Sequence, residues 1–339
     1  MEGWRRALKG DPLLWLMEEE TPAVRHMTLR RLLDEPEDSP KIRRARSAAM
    51  QGGPIAAILA AQHRDGWWVK PGHGYAPKYR GTTWSVIFLD QLGADGSDPR
   101  VRKACLYVLE HVQSSTGGFA SSGRKDEGPP SPATAIHCLN GNLLRALIGF
   151  GLLDDDRVKR AVRWQARSIT GEGFDDYYRS GTSGPAFACV ANQHLSCAWG
   201  AVKAMLALAR IPPRRRAADV RRAIAVGAEF LLSRDPAIAD YPMGLGNTRP
   251  SRNWFKFGFP SGYVADALQN LEALCELGYA RDPRISGAVE LVLSKQDRSG
   301  RWRNEYAYKG KTWLDLDKQG APSKWVTLRA CAVLKAALG

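Results

Sequence analysis

The sequence predicts an all-α chain, a ring of helical hairpins in two concentric layers, and three observations carry that expectation. A Gln, three residues, a Gly, one residue and an aromatic recur at Gln62, Gly66 and Trp68, at Gln113, Gly117 and Phe119, and at Gln296, Gly300 and Trp302. Recurrence at long intervals marks a repeat protein. Segments that open on Asp, two of them with Pro next, start at 97–104, 154–161 and 281–288; Asp caps free N–H groups, and Pro is tolerated at the first helical position. Each is preceded by a more apolar segment, a class found at 24–33, 84–92, 143–152, 198–209, 264–277 and 326–338.

The elements follow in order. The stretch 11–19 supplies the first outer helix, within a peripheral segment 1–19, and 20–339 carries the hairpins of a single domain. Weaker outer matches lie at 38–42 and 214–222. The outer helices interleave Arg and Lys with apolar positions, so one side of each meets water, while the apolar six belong inside. At each motif the Gln is expected to bond the last free carbonyls of its helix, the Gly to adopt the left-handed conformation after the helix, and the aromatic to fold back on it. The irregular stretches 69–80, 120–135, 171–192, 240–260 and 306–323 fall between an outer helix and the next inner one and are expected as loops on one face.

A chain of 339 residues can bury a large core. No apolar run reaches the roughly 18 to 20 residues of a membrane span, and the first residues lack a signal-peptide core, so a cytoplasmic protein is expected. The formal charge of +14 is spread along outer helices, at Lys41, Arg43, Arg44 and Arg46 among others, and reads as a solvated exterior. No motif or aromatic-basic platform for nucleic acid accompanies it.

In such a ring all inner helices run the same way, so their N-termini and positive dipole ends open on one mouth and favour anions there. Lys78, Arg80 and Lys256 lie in separate loops that meet above it and are expected to grip an anionic group. Lys324, and Asn140 in the loop ahead of the inner helix at 143–152, complete the polar set. Trp84, Trp199, Trp254 and Phe257 are expected to present π-faces to an apolar ligand. Asp315 is the best placed acid, with Asp317 beside it, and Tyr79 is a second proton donor.

The six cysteines divide. Cys105, Cys275 and Cys331 fall on apolar helical positions and read as small buried thiols. Cys138, Cys189 and Cys197 lie near His137 and His194 in the loops just described. Three thiolates and an imidazole suit a tetrahedral zinc, with His194 as fourth ligand.

The Gln-x3-Gly-x-aromatic spelling resembles the signature repeat of the terpenoid cyclases. The ring it implies resembles the (α/α)6 toroid they share with protein prenyltransferase β-subunits and complement-type thioester domains. The resemblance covers most of the chain, from about Asp11 onward, and implies an enzyme acting on a hydrophobic, isoprenoid-like, anionic substrate held in a central cavity. The alternative is a non-enzymatic toroid that binds a peptide or metabolite and carries a structural zinc. Two departures stand out. Class II cyclases protonate substrate with the central Asp of Asp-x-Asp-Asp, where this chain has Asp315, Leu316, Asp317 and Lys318. Prenyltransferases hold zinc with an Asp, a Cys and a His, and no Asp-x-Cys precedes Cys138 or Cys197.

Overall fold

The computed structural model describes residues 3–122, 129–239, 241 and 251–339. Among them the regular structure is helical, with isolated bridges and no strand. The helices are α1 (Gly3–Arg6), α2 (Leu13–Leu16), α3 (Pro22–Arg31), α4 (Pro40–Gln51), α5 (Gly53–Ala60), α6 (Thr82–Gln91), α7 (Pro99–His111), α8 (His137–Gly149), α9 (Asp156–Thr170), α10 (Ala198–Ala209), α11 (Ala218–Leu232), α12 (Ala267–Glu276), α13 (Ser286–Ser294) and α14 (Lys324–Leu338). None of them is long and apolar enough to cross a membrane.

Starts follow the capping logic. Ser39, Asp98, Asp155, Asp266 and Ser323 each accept a backbone N–H two or three residues on. Two of the inner class are buried almost throughout: all residues of α6 through Asp90 are buried, and so is α10 from Gly200 to Leu208. The packing order is α6 on α8, α8 on α10, α10 on α12, α12 on α14 and α14 on α3, with α7, α9 and α11 behind α6, α8 and α10. The closest approach is at Gly141, where a β-carbon would stand 2.3 Å from the Lys203 carbonyl carbon, so only glycine lets α8 and α10 meet there.

The three motif turns are staples that cross between repeats. The Trp68 indole donates to the Ile58 carbonyl at 2.7 Å and that of Trp302 to Val292 at 2.7 Å, so each aromatic does fold back on its own outer helix. Their backbone N–H groups reach inward, Trp68 to Thr82 Oγ1, Phe119 to Asn140 Oδ1 and Trp302 to Thr327 Oγ1. Gly66, Gly117 and Gly300 all have φ in the left-handed region, at 99°, 94° and 70°. The glutamines act differently from expectation. Gln62 donates to the carbonyls of Gly66 and of Arg100 in α7, and Gln113 to those of Gly117 and of Arg157 in α9. Each amide therefore ties its own turn to the next outer helix. Gln296 does the same across the ends of the chain, accepting the Lys9 N–H at 2.7 Å and donating to the Ala7 carbonyl at 3.2 Å.

Two boundaries differ from the sequence reading. The helix expected at 11–19 is the single turn α2, because Glu18, Glu19 and Glu20 follow it, where negative charge opposes the helix dipole. The inner helix expected from 143 begins at His137, which moves Cys138 and Asn140 out of a loop and into the first turn of α8.

Candidate functional site

The loops that lead into α6, α8, α10, α12 and α14 enclose a cavity of about 530 Å³. The loop before α6 contributes Tyr75, Lys78 and Tyr79; the start of α8 contributes Ile136, His137 and Cys138; the loop before α10 contributes Phe187, Cys189 and Cys197, followed by Trp199; and Tyr263 and Tyr308 come from the loops before α12 and α14. Tyr79 lies 4.3 Å from Tyr308 between ring centres, and Trp84 stands behind them, 5.0 Å from both Tyr79 and Tyr263. The backbone is shaped for this wall: Tyr79 sits at φ 72°, a conformation that costs a non-glycine residue free energy.

Lys78 is the one lysine or arginine among the described lining residues, which include no Asp or Glu. It is exposed, its ammonium lies 5.4 Å from the Tyr263 ring centre and 5.9 Å from that of Tyr79, and no carboxylate of the described residues pairs with it. The Trp199 indole N–H likewise has no partner among the described residues. Burial raises the phenols of Tyr75 and Tyr79, and those of Tyr263 and Tyr308 further still, so all four stay neutral at pH 7. Burial lowers His137 to about 4. Its neutral ring is held between the Gly184 carbonyl, 2.8 Å from Nε2, and the Gln165 side-chain amide, 3.0 Å from Nδ1; this fits a proton on Nε2.

The thiols differ among themselves. Burial pushes Cys138 up to about 12. A hydrogen bond from Cys197 lowers Cys189 to about 6, and the same contact together with burial raises Cys197 well above the ordinary thiol value. His194 is exposed and faces a different cleft, beside Arg179 and Thr182. Among the described residues no group of three or more His, Cys, Asp or Glu is arranged to hold a metal ion. Of the four expected zinc ligands, the three thiols share the cavity wall and His194 lies in the cleft beside it.

Of the other sequence candidates, Lys78, Tyr79 and Trp199 line the cavity and Trp84 backs it. The rest lie elsewhere. Asn140 is consumed by the Phe119 staple, and Trp254 is core, with its indole on the Pro236 carbonyl. Phe257 is buried, with Lys295 5.1 Å from its ring centre. Arg80 donates to the Thr312 and Gly310 carbonyls, Lys256 is exposed outside the cavity, and Lys324 binds Glu18 and Thr21. Asp315 is exposed and accepts the Gly310 N–H at 2.8 Å. Asp317 lines a neighbouring cleft of about 120 Å³ with Lys324 and Trp325, where burial pushes its carboxyl up to about 6 against the opposing pull of Ser323 and Lys324. Sequence reasoning misses Tyr263 and Tyr308, although they too lie in loops ahead of an inner helix, as Tyr75 does.

Farther along the inner helices a second, smaller basin of about 30 Å³ is lined by Arg31, Asp90, Arg145, Glu272 and Arg329, with Arg210 at its edge. Arg329 grips Glu272 at 2.7 Å and 2.9 Å and donates to the Gly258 carbonyl at 3.0 Å. Burial alone would raise Glu272, but Arg329 and Arg31 outweigh it and hold the carboxyl at about 2.

No protein-family model and no curated protein sequence matches the chain. Solved structures that resemble it include type II terpene cyclases. Ligand-free MstE from Scytonema shares 15% identity over 84% of this chain and 96% of that one, with a TM-score of 0.27. An MstE variant in complex with the substrate geranylgeranyl dihydroxybenzoate shares 15% over 84% and 95%, at 0.30. A protein from Actinoplanes shares 15% over 86% and 98%, at 0.33. Likeness at this level assigns no residue of this chain a role.

Proposed function

We propose that the helices form a six-hairpin (α/α)6 toroid, one domain over 1–339, and that the cavity at its mouth binds an isoprenoid-like chain with an anionic end, as a cyclase-like protein would. The observation that carries this reading is the composition of the wall: phenol, indole and alkyl faces around about 530 Å³, with Lys78 as the single lysine or arginine among the described lining residues and no carboxylate of the described residues paired with it. A pocket of that size suits a drug-sized or terpenoid molecule. The ammonium meets the anionic end at the rim, the Trp199 N–H takes an acceptor, and the faces of Tyr79 and Tyr263 favour positive charge that develops on the chain. A wall of aromatic and alkyl faces is not the polar groove a peptide-binding scaffold needs.

Proton donation is assigned by proton affinity. Tyr79 is neutral and in the wall, but a buried phenol is a weak acid. Asp317, which takes up its proton near pH 6 and accepts from Ser323, is the stronger acid, but it lines a separate cleft that shares no described lining residue with the cavity. Asp315 is assigned to holding its loop.

Calorimetry with geranylgeranyl diphosphate and with geranylgeraniol tests the reading. Micromolar binding of the diphosphate, about 8 kcal/mol, is expected. Lys78→Ala should weaken it about tenfold, on the order of 1.4 kcal/mol, and leave the alcohol unchanged. Absence of binding by both ligands to the wild-type protein overturns it.

A further inference from the structure

We propose that the basin farther along the inner helices is a binding site for one small monovalent anion, held between Arg145 and Arg210. The proposal does not depend on what the cavity at the mouth binds. It starts from unequal pairing within the basin. On one side the guanidiniums are satisfied: Arg329 holds Glu272 and the Gly258 carbonyl, and Arg31 lies 3.4 Å from both Glu272 and Glu276. On the other side Arg145 and Arg210 have one carboxylate between them, that of Asp90. The Arg145 Nε stands 3.5 Å from it and the Arg210 Nη2 3.9 Å, both longer than a normal hydrogen bond. The Nε of each of these two arginines is buried and has no hydrogen-bond partner among the described residues.

The neighbouring acceptors are already committed. Gln91 exchanges two hydrogen bonds with the Ser261 backbone, at 2.7 Å and 2.8 Å, and Gln269 accepts from Lys203 and donates to Asp266. The carbonyls that end α6 accept the N–H groups of Leu92, Gly93 and Ala94, and those that end α10 accept the N–H groups of Arg210 and Ile211 and the Arg216 side chain. Asp90 is itself fixed in place: its side chain is 7% exposed, and a β-carbon at Gly149 in α8 would stand 2.7 Å from its Oδ1.

Charge and size define the ligand. Two guanidiniums against one carboxylate leave one positive charge, and arginine does not shed it by losing a proton. A buried charge without a counter-charge is costly, so this side of the basin favours an anion of one charge. A basin of about 30 Å³ has room for roughly two water-sized groups, which admits chloride or an oxyanion as small as formate and excludes larger ones. Entry is at the rim, where the Arg31 and Arg210 side chains are 23% and 31% exposed, against 15% for Arg145. The anion accepts the Nε–H groups that the fold leaves unused, and so ties α8 to the end of α10.

The test is urea unfolding of the full chain at fixed ionic strength, with potassium gluconate replaced stepwise by potassium chloride. Gluconate carries the same charge and is too large for the basin. The wild-type folding equilibrium constant is expected to rise about tenfold by about 0.2 M chloride, the response of a site with a dissociation constant of about 20 mM. Arg210→Gln removes the surplus charge. In gluconate it should be at least as stable as the wild type, and chloride should change its folding constant by less than about twofold. Asp90→Asn leaves both guanidiniums unopposed and should bind chloride at least about tenfold more tightly. The wild-type titration needs no variant to fold. A wild-type rise below about twofold overturns the proposal, as does unchanged affinity in a folded Asp90→Asn. An equal response in Arg210→Gln also overturns it, and would mark general screening of a chain with formal charge +14.

Discussion

The same inner helices carry two unlike sites along their length. At their starts the wall is aromatic and thiol-bearing, and Lys78 is its one lysine or arginine among the described residues. Farther along, Arg31 at the end of α3, Arg210 just past α10, and Arg145 and Arg329 within α8 and α14 gather around Asp90 and Glu272. Helix ends that concentrate partial negative charge attract cations, and here most cations also face a carboxylate: Arg31 and Arg329 meet Glu272, while Arg145 and Arg210 share Asp90. What separates the two sites is pairing. A charge that the fold has already paired holds helices together, and one left without a partner beside an apolar cavity is available to a ligand.

The largest effect expected from this contrast is at Glu272. Glu272→Ala leaves Arg329 buried without its main partner, a change that typically costs about 3 to 5 kcal/mol, to be read from urea unfolding. A loss below about 1 kcal/mol would mean that the basin is solvated and the contrast false. Next comes acid. Glu272 is held at about 2 in the folded state against 4.5 ordinarily, so its contribution is complete above pH 4.5 and disappears as pH falls from 4.5 toward 2. Each tenfold change in proton affinity is worth about 1.4 kcal/mol, so on the order of 3 kcal/mol is at stake. The decline in stability across that window should be markedly shallower in Glu272→Gln, and an unchanged slope would remove Glu272 from the account. The smallest stability effect belongs to the other end. Lys78→Ala should alter unfolding free energy by less than about 0.5 kcal/mol, because the side chain is exposed and no carboxylate of the described residues is paired with it. A larger loss would make Lys78 a structural cation like the arginines.

What the sequence makes legible follows the same division. The outer and inner helix classes and the aromatic staples at Trp68 and Trp302 are readable because repetition and capping are local signals, and the structure shows the indoles folded back on their own helices. The glutamines' second partners, Arg100 and Arg157, lie in the next repeat and leave no local trace. At the site, position at or ahead of the start of an inner helix goes with a place on the cavity wall for Lys78, Tyr79 and Trp199. Arg80, Lys256 and Lys324 share that position without lining the cavity, because position along the chain does not say which carbonyl or carboxylate lies across from a cation. Asn140 and Trp254 carry the residue types of a binding wall, yet both serve the frame. Lys203 escapes sequence reasoning altogether: it is buried inside apolar α10 and is lowered to about 7 by burial, and the one visible hint is a lysine in an otherwise apolar helix.

The link from Gln296 to Ala7 and Lys9 has a topological consequence. The N-terminal segment occupies the place that a next outer helix would take, and α1 packs on α14, so a β-carbon at Gly3 would stand 2.6 Å from the Leu338 carbonyl oxygen. Residues nearly 290 positions apart in sequence therefore hold one another, and removal of residues 3–9 would strip α14 of a packed helix and leave the Gln296 side-chain amide without the N–H and the carbonyl that it binds.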